Sequence, residues 1–303
     1  MRKQAAVKKV VLENEYLSVT ILPELGGKVS SFWYKPAAFE LAAQNPCEEY
    51  YLPEEDAAFE EYDASGLDDA FPNIDKAQVE RNGKFLVYPD HGEIWSHAFQ
   101  VQSADEKEAV LSFDSSRVGY HYEKTLRLAD NRLEFRYRIT NIGEEALPCI
   151  WTFHGLMRYE EDMRLVLPSD LTSFRNVMDS DVLGADGLIY PKENKVWDFE
   201  KVPPRTPETS LKFYGNGKSL AGRCGLEYPT QGVRCEMTYD AEKLPWFGVW
   251  ITAGGFRGDY NLAMEPTNGY YDDILKAGEN GCLYELAAGA VLEFGLAVSL
   301  DKY

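Results

Sequence analysis

The sequence predicts an all-β protein, a large antiparallel β-sandwich, and three observations carry that prediction. Apolar and polar residues alternate with a period of two along the chain, one long hairpin carries its own turn chemistry, and no segment sustains a 3.6-residue period. So many strands must stack as two sheets or close on themselves to bury both inner faces.

The elements follow in chain order. "YLSVTIL" sets Leu17, Val19 and Ile21 against Tyr16, Ser18 and Thr20, a half-buried strand. Residues 45–76 mix clustered carboxylates with aromatic residues; a short acidic helix is expected near 54–62, and the acid run reads as a solvated face without calcium-loop spacing. "YPDHGEIWSHAFQV" (88–101) places His91 and Asp90 in a turn and His97 on a strand that follows. After a strand at 109–113 comes the hairpin "YHYEKTLRLADNRLEFRYRITNIG". One arm alternates Tyr122, Lys124, Leu126 and Leu128 with polar residues, the other Leu133, Phe135, Tyr137 and Ile139 with Arg and Glu, and "ADN" turns between them. Further strands are expected at 146–154, 247–252, 260–265, 282–287 and 290–299. Residues 176–210 show little alternation and read as a functional loop or as cover for a sheet end. "GNGKS" at 215–219 lacks phosphate-loop spacing and reads as a hairpin turn. With no Gly/Ser-rich linker and no fixed-period repeat, residues 1–303 are expected to form a single domain.

The formal charge of −19 argues against nucleic acid and anionic membranes, both of which need a basic partner surface. No run approaches a membrane span, and the opening residues lack an apolar stretch of signal-peptide length. Five scattered cysteines without a CxxC fit reduced thiols and a cytoplasmic protein, and no metal site is expected. The oligomeric state is not legible.

Strand alternation singles out the polar residues for chemistry. In "PCIWTFHGLMRY", His154 shares a face with Ile150 and Thr152, while Trp151 and Phe153 take the other. In "YNLAMEPTNGYYDD", Glu265 lies with Asn261 and Ala263, opposite Tyr260, Leu262 and Met264, and Pro266 is expected to end the strand. An ionisable group near a strand end, among small or polar neighbours, is how a sheet lines a polar cleft. His91, on a loop, is the third candidate; His97 reads as packing and His121 as surface. There is no GxGxxG, P-loop, HExxH or GxSxG pattern. General acid–base work by His and Glu is what remains, and it suits a neutral substrate that needs only proton movement.

In order, "ENEYLSVTILPELGGKVSSFWY", "GLDDAFPNI", "YPDHGEIWS", "PCIWTFHGLMRY" and "LAMEPTNGYYDD" resemble the aldose 1-epimerase (galactose mutarotase-like) family, as does the closing "LYELAAGAVLEFGLAVSL". The resemblance implies a galactose mutarotase-like supersandwich whose concave sheet holds a sugar. It implies an isomerase that needs no cofactor, interconverting the anomers of a free aldose. Glu265 would act as base, His154 as acid, and His91 would hold the sugar. Asp90 and Asp69, within the matching motifs, are further candidates for substrate binding, and Trp250 is a candidate stacking surface. The chain departs from the family pattern in lacking its arginine before the first histidine motif. The family's aspartate in the second half has no placed match. "DASG" stands where relatives acting on sugar phosphates carry an arginine, which argues against such a substrate. Two alternatives stay open on this fold: a non-catalytic sugar-binding protein using Trp95, Trp246 or Trp250, and a lyase or hydrolase using the Asp68/Asp69 pair.

Overall fold

A computed structural model of the chain describes residues 3–303 apart from 6, 48 and 82, with the backbone alone described over 3–5. Two large antiparallel sheets dominate it. The first has eight strands. Gln100–Ala104, Glu108–Ser115, Tyr120–Ala129 and Arg132–Asn141 lie side by side, followed by Val291–Lys302, Val233–Tyr239, Arg223–Tyr228 and Arg164–Val166. The second has eleven, and five neighbouring strands of it matter below: Thr209–Gly215, Trp246–Ala253, Tyr260–Thr267, Thr152–Arg158 and Leu67–Ala70, in that spatial order. Lys28–Tyr34 follows beyond them.

The hairpin forms as its alternation predicts, with Leu126 opposite Phe135 and Tyr122 opposite Ile139. Its buried side packs into the sandwich. From the larger sheet, Phe153, Phe213, Phe247, Val249 and Met264 pack into the same interior, each almost fully buried. Burying side chains of this size is worth about 1.5–3 kcal/mol apiece. With every second residue committed to the core, the residues between them are left on the outer face of the larger sheet, and that face carries the site.

Several details differ from the sequence reading. The expected helix near 54–62 is a single 3₁₀ turn, Phe59–Glu61. A real α-helix forms instead at Ile274–Glu279, where the Asp273 carboxylate accepts from the N–H groups of Leu275 and Lys276; six residues are too few to display a helical period. His97 is not on a strand. It follows a 3₁₀ turn, Ile94–Ser96, donates from Nδ1 to the Glu93 carbonyl at 2.7 Å, and packs on Phe113. "GNGKS" leads from one sheet to the other rather than turning a hairpin. The strand with Glu265 continues through Pro266 to Thr267. Pro266 faces Phe247 in register on one side, while on the other the ladder to the His154 strand lapses between Thr152↔Thr267 and Leu156↔Ala263. A residue without an N–H is tolerated where a ladder is already open. Among the described residues no helix is long and apolar enough to cross a membrane.

Candidate active site

Register builds the site. On the Leu67–Ala70 strand, Asp68 and Asp69 must face opposite ways, because successive strand residues do. Asp68 pairs with His154 on the next strand, and the pairs on either side of the open ladder set His154 across from Glu265. Glu265 pairs with Gly248, and Gly248 with Tyr214. A single row thus crosses five strands as Asp68, His154, Glu265, Gly248, Tyr214. The adjacent row runs Leu156, Ala263, Trp250, Lys212.

At one end of the first row, Asp68 Oδ1 lies 3.0 Å from His154 Nδ1. Lys28 stands behind it, 3.7 Å from Asp68 Oδ2 and 2.8 Å from Asp63. Burial pushes the Asp68 carboxyl up, but the His154 hydrogen bond and the Lys28 charge hold it below its ordinary value. An ionised Asp68 accepts from Nδ1–H, which fixes the tautomer and leaves Nε2 for the cavity that His154 lines.

At the other end, Glu265 has no exposed surface. Its carboxylate reaches sideways over Gly248, where a Cβ would meet Oε2 at 2.9 Å and the Tyr214 ring at 3.0 Å. Oε2 accepts from Lys212 Nζ at 2.5 Å, while Oε1 is buried without a hydrogen-bond partner. Lys212 also lies 3.4 Å from Asp272 Oδ1, which accepts from the Tyr214 hydroxyl at 2.6 Å. Burial raises the Glu265 carboxyl above its ordinary value, and Lys212 opposes that rise. Burial also works against the Lys212 ammonium, but Asp272 and Glu265 outweigh it, and its pKa is raised.

Loops close the cavity. His91 adopts a left-handed backbone with φ 56°, its N–H held by the Ile74 carbonyl at 2.6 Å. Gly92 follows at φ 74°, where a Cβ would sit 2.0 Å from the Phe71 carbonyl oxygen, so only glycine fits. The Asp90 carboxylate holds His91 Nδ1 at 2.7 Å and accepts the Phe59 N–H at 2.8 Å. Phe59 in turn stacks on His91, with ring centroids 4.1 Å apart, and presents its face or edge to His154 at 5.2 Å. The two histidine rings are 4.9 Å apart. Val177 and Met178, from the irregular 176–210 segment, add an apolar wall. The enclosed space is about 360 Å³, the small end of the range for ligand sites. Asp75 stands at the rim, open to water; crowding by surrounding protein and the Asp272 carboxylate push its carboxyl up to about 6, an effect that water partly screens.

Of the residues singled out from sequence, His154, His91 and Trp250 line this cavity, Glu265 lies directly beneath it, and Asp90 braces its wall. Asp69 does not reach it. Its carboxylate is sealed between the sheets with Lys124 at 3.0 Å and the Tyr137 and Tyr122 hydroxyls, because strand parity sends it inward and leaves the outer position to Asp68. Trp246 packs on Tyr270, and Trp95 lies edge-on behind Phe59, donating to the Asp90 carbonyl. Sequence reasoning missed Lys212, Asp272 and Phe59. Lys212 and Tyr214 alternate with Leu211 and Phe213 just as solvent-facing residues would, so only register distinguishes them. Among the described residues no group of three or more His, Cys, Asp or Glu is arranged to hold a metal ion.

No family model and no curated protein matches the sequence. Solved structures do match. A protein from Synechocystis superposes with a TM-score of 0.75 at 16% identity, covering 99% of this chain and 98% of that one. A galactose mutarotase related enzyme from Lactobacillus acidophilus gives 0.71 at 14%, covering 97% and 98%. A galactose mutarotase-like protein from Clostridium acetobutylicum gives 0.72 at 13%, covering 100% and 99%. The chain therefore has the galactose mutarotase-like fold, over its full length.

Proposed function

We propose that this protein is a cofactor-free aldose 1-epimerase that interconverts the α and β anomers of a free aldose by acid–base ring opening. The observation that carries this reading is the cross-strand placement of His154, which lines the cavity, and Glu265, buried beneath it behind Lys212, at a space sized for a single sugar. In the reaction, Glu265 takes the proton of the anomeric C1 hydroxyl while His154 protonates the ring oxygen, and the C1–O5 bond opens. The aldehyde rotates about C1–C2, and reversal closes the ring on its other face. Asp68 holds His154 in the tautomer that presents Nε2, as an ionised carboxylate behind an imidazole does. Trp250 offers an apolar surface to the C–H face of the ring, and His91, braced by Asp90 and Phe59, offers a further polar contact from the cavity lining.

Polarimetry or NMR exchange on freshly dissolved α-sugars tests this. Wild type accelerates equilibration, and Glu265→Gln reduces the rate roughly 10²–10⁴-fold, the range for losing a general base. One observation favours a second reading, a sugar-binding protein without activity: Glu265 is fully buried under Lys212. Saturable sugar binding with no acceleration of anomer exchange would establish that alternative. The hydrolase reading loses its support, since Asp69 faces the interior and Asp68 is bound to His154.

A further inference from the structure

We propose that Lys212 is a catalytic residue that relays the proton of the sugar's anomeric hydroxyl to Glu265. This rests on the epimerase reading and specifies how its base is reached. Lys212 lines the cavity, while Glu265, with no exposed surface, does not. The shortest polar connection from the cavity to the carboxylate is the Lys212 Nζ to Glu265 Oε2 hydrogen bond, 2.5 Å long. Gly248 opens that route, because any side chain there would collide with Oε2. An ammonium has three N–H donors. Glu265 occupies one and Asp272, at 3.4 Å, draws a second. The third remains for an oxygen in the cavity.

The proton balance closes. Nζ first passes one of its protons to Glu265 Oε2, and rotation about the Cε–Nζ bond turns the freed lone pair to the cavity, where it takes the proton of the C1 hydroxyl. Lys212 ends as it began, an ammonium, and the carboxylate becomes a carboxylic acid. The electron pair left on the C1 oxygen forms the C1=O bond, the C1–O5 pair moves to O5, and O5 takes the proton of His154 Nε2. Ring closure runs the same transfers backward. The burial that raises the Glu265 carboxyl makes it a stronger acceptor for this proton, and the charge that Lys212 regains steadies the oxygen as C1=O forms.

Lys212→Arg separates this role from simple charge compensation. Arginine keeps a cation beside Glu265 but does not give up a proton in proteins. If Lys212 relays the proton, Lys212→Arg loses about 100-fold or more in kcat for anomer exchange while still binding sugar. Lys212→Ala is equally impaired, and methylamine restores its activity saturably where methanol does not. The melting temperature of each variant verifies folding, and if Lys212→Ala fails to fold, Lys212→Arg decides alone. Wild-type-like kcat in a folded Lys212→Arg overturns the relay and leaves the epimerase reading standing. A wild-type protein that accelerates no exchange across α-D-hexoses and α-D-pentoses overturns the epimerase reading, and the relay with it.

Discussion

Asp68 and Asp69 are chemically identical neighbours with unrelated environments. A carboxyl like that of Asp68, held in the folded state below its ordinary value near 3.8, contributes stability above that value and loses it as the pH falls through the folded pKa. Asp68→Asn is therefore expected to cost about 2 kcal/mol at pH 7, where it leaves Lys28 with one carboxylate fewer and His154 with a weaker acceptor. Below about pH 4 the unfolded chain's carboxyl takes up a proton that the folded one still resists, so Asp68's contribution falls and the gap should narrow. Urea titrations of both proteins at pH 7 and pH 3 check this; an equal gap at both would mean that the charge of Asp68 is not what stabilises. The pair also marks how much of the site was legible. "GLDDAFPNI" shows two adjacent acids but neither the strand Leu67–Ala70 that carries them nor which one faces out, since both depend on partner strands far away in the sequence. Asp69 was accordingly expected in the site that Asp68 occupies. His154 and Glu265 were legible because apolar residues on both sides fix their parity. Lys212 was not, because an alternating lysine next to a cavity reads the same as one in water.

The strands themselves were readable wherever one face is apolar, and the reading failed where an element is short or defined by its partners. The 3₁₀ turns around Phe59 and Trp95 exist to hold side chains against His91 and Asp90, and nothing periodic signals them. Gly248 is such a partner-defined position: within Trp246–Ala253 it is a weak strand former, yet it is where the Glu265 carboxylate crosses to Lys212. Gly248→Ala puts a methyl group 2.9 Å from Oε2, so either Glu265 or Tyr214 must move. The expected cost is about 1–3 kcal/mol of stability. The rate of anomer exchange should fall by about 100-fold, as displacing a reacting group by an ångström does. Thermal melts and kcat measured on the same preparation separate the two effects, and an unchanged kcat would show that the carboxylate does not act along this path.

At the scale of the molecule, the largest apolar cluster among the described residues extends from Leu12 to Leu300. Inside that cluster lies a charged pair. Asp69 comes from the larger sheet and Lys124 from the smaller, and they meet at 3.0 Å with the Tyr137 hydroxyl 2.8 Å from the same carboxylate. Taking both charges out of water costs most of what their attraction returns, so the pair adds little net stability over a well-packed apolar one. Its value is in fixing how the sheets sit. Asp69 shares a backbone with Asp68, so the contact that pins the Leu67–Ala70 strand to the opposite sheet also sets the height at which Asp68 meets His154. Asp69→Asn or Lys124→Met alone should each cost about 3–5 kcal/mol, because each leaves the other partner charged and buried. The double variant should cost clearly less than the sum. Denaturant unfolding of the four proteins measures that coupling, and strictly additive costs would mean that the two side chains act independently. If the pair fixes the sheets, the folded double variant should also lose activity out of proportion to its stability, since Asp68 would then rest on an unanchored strand.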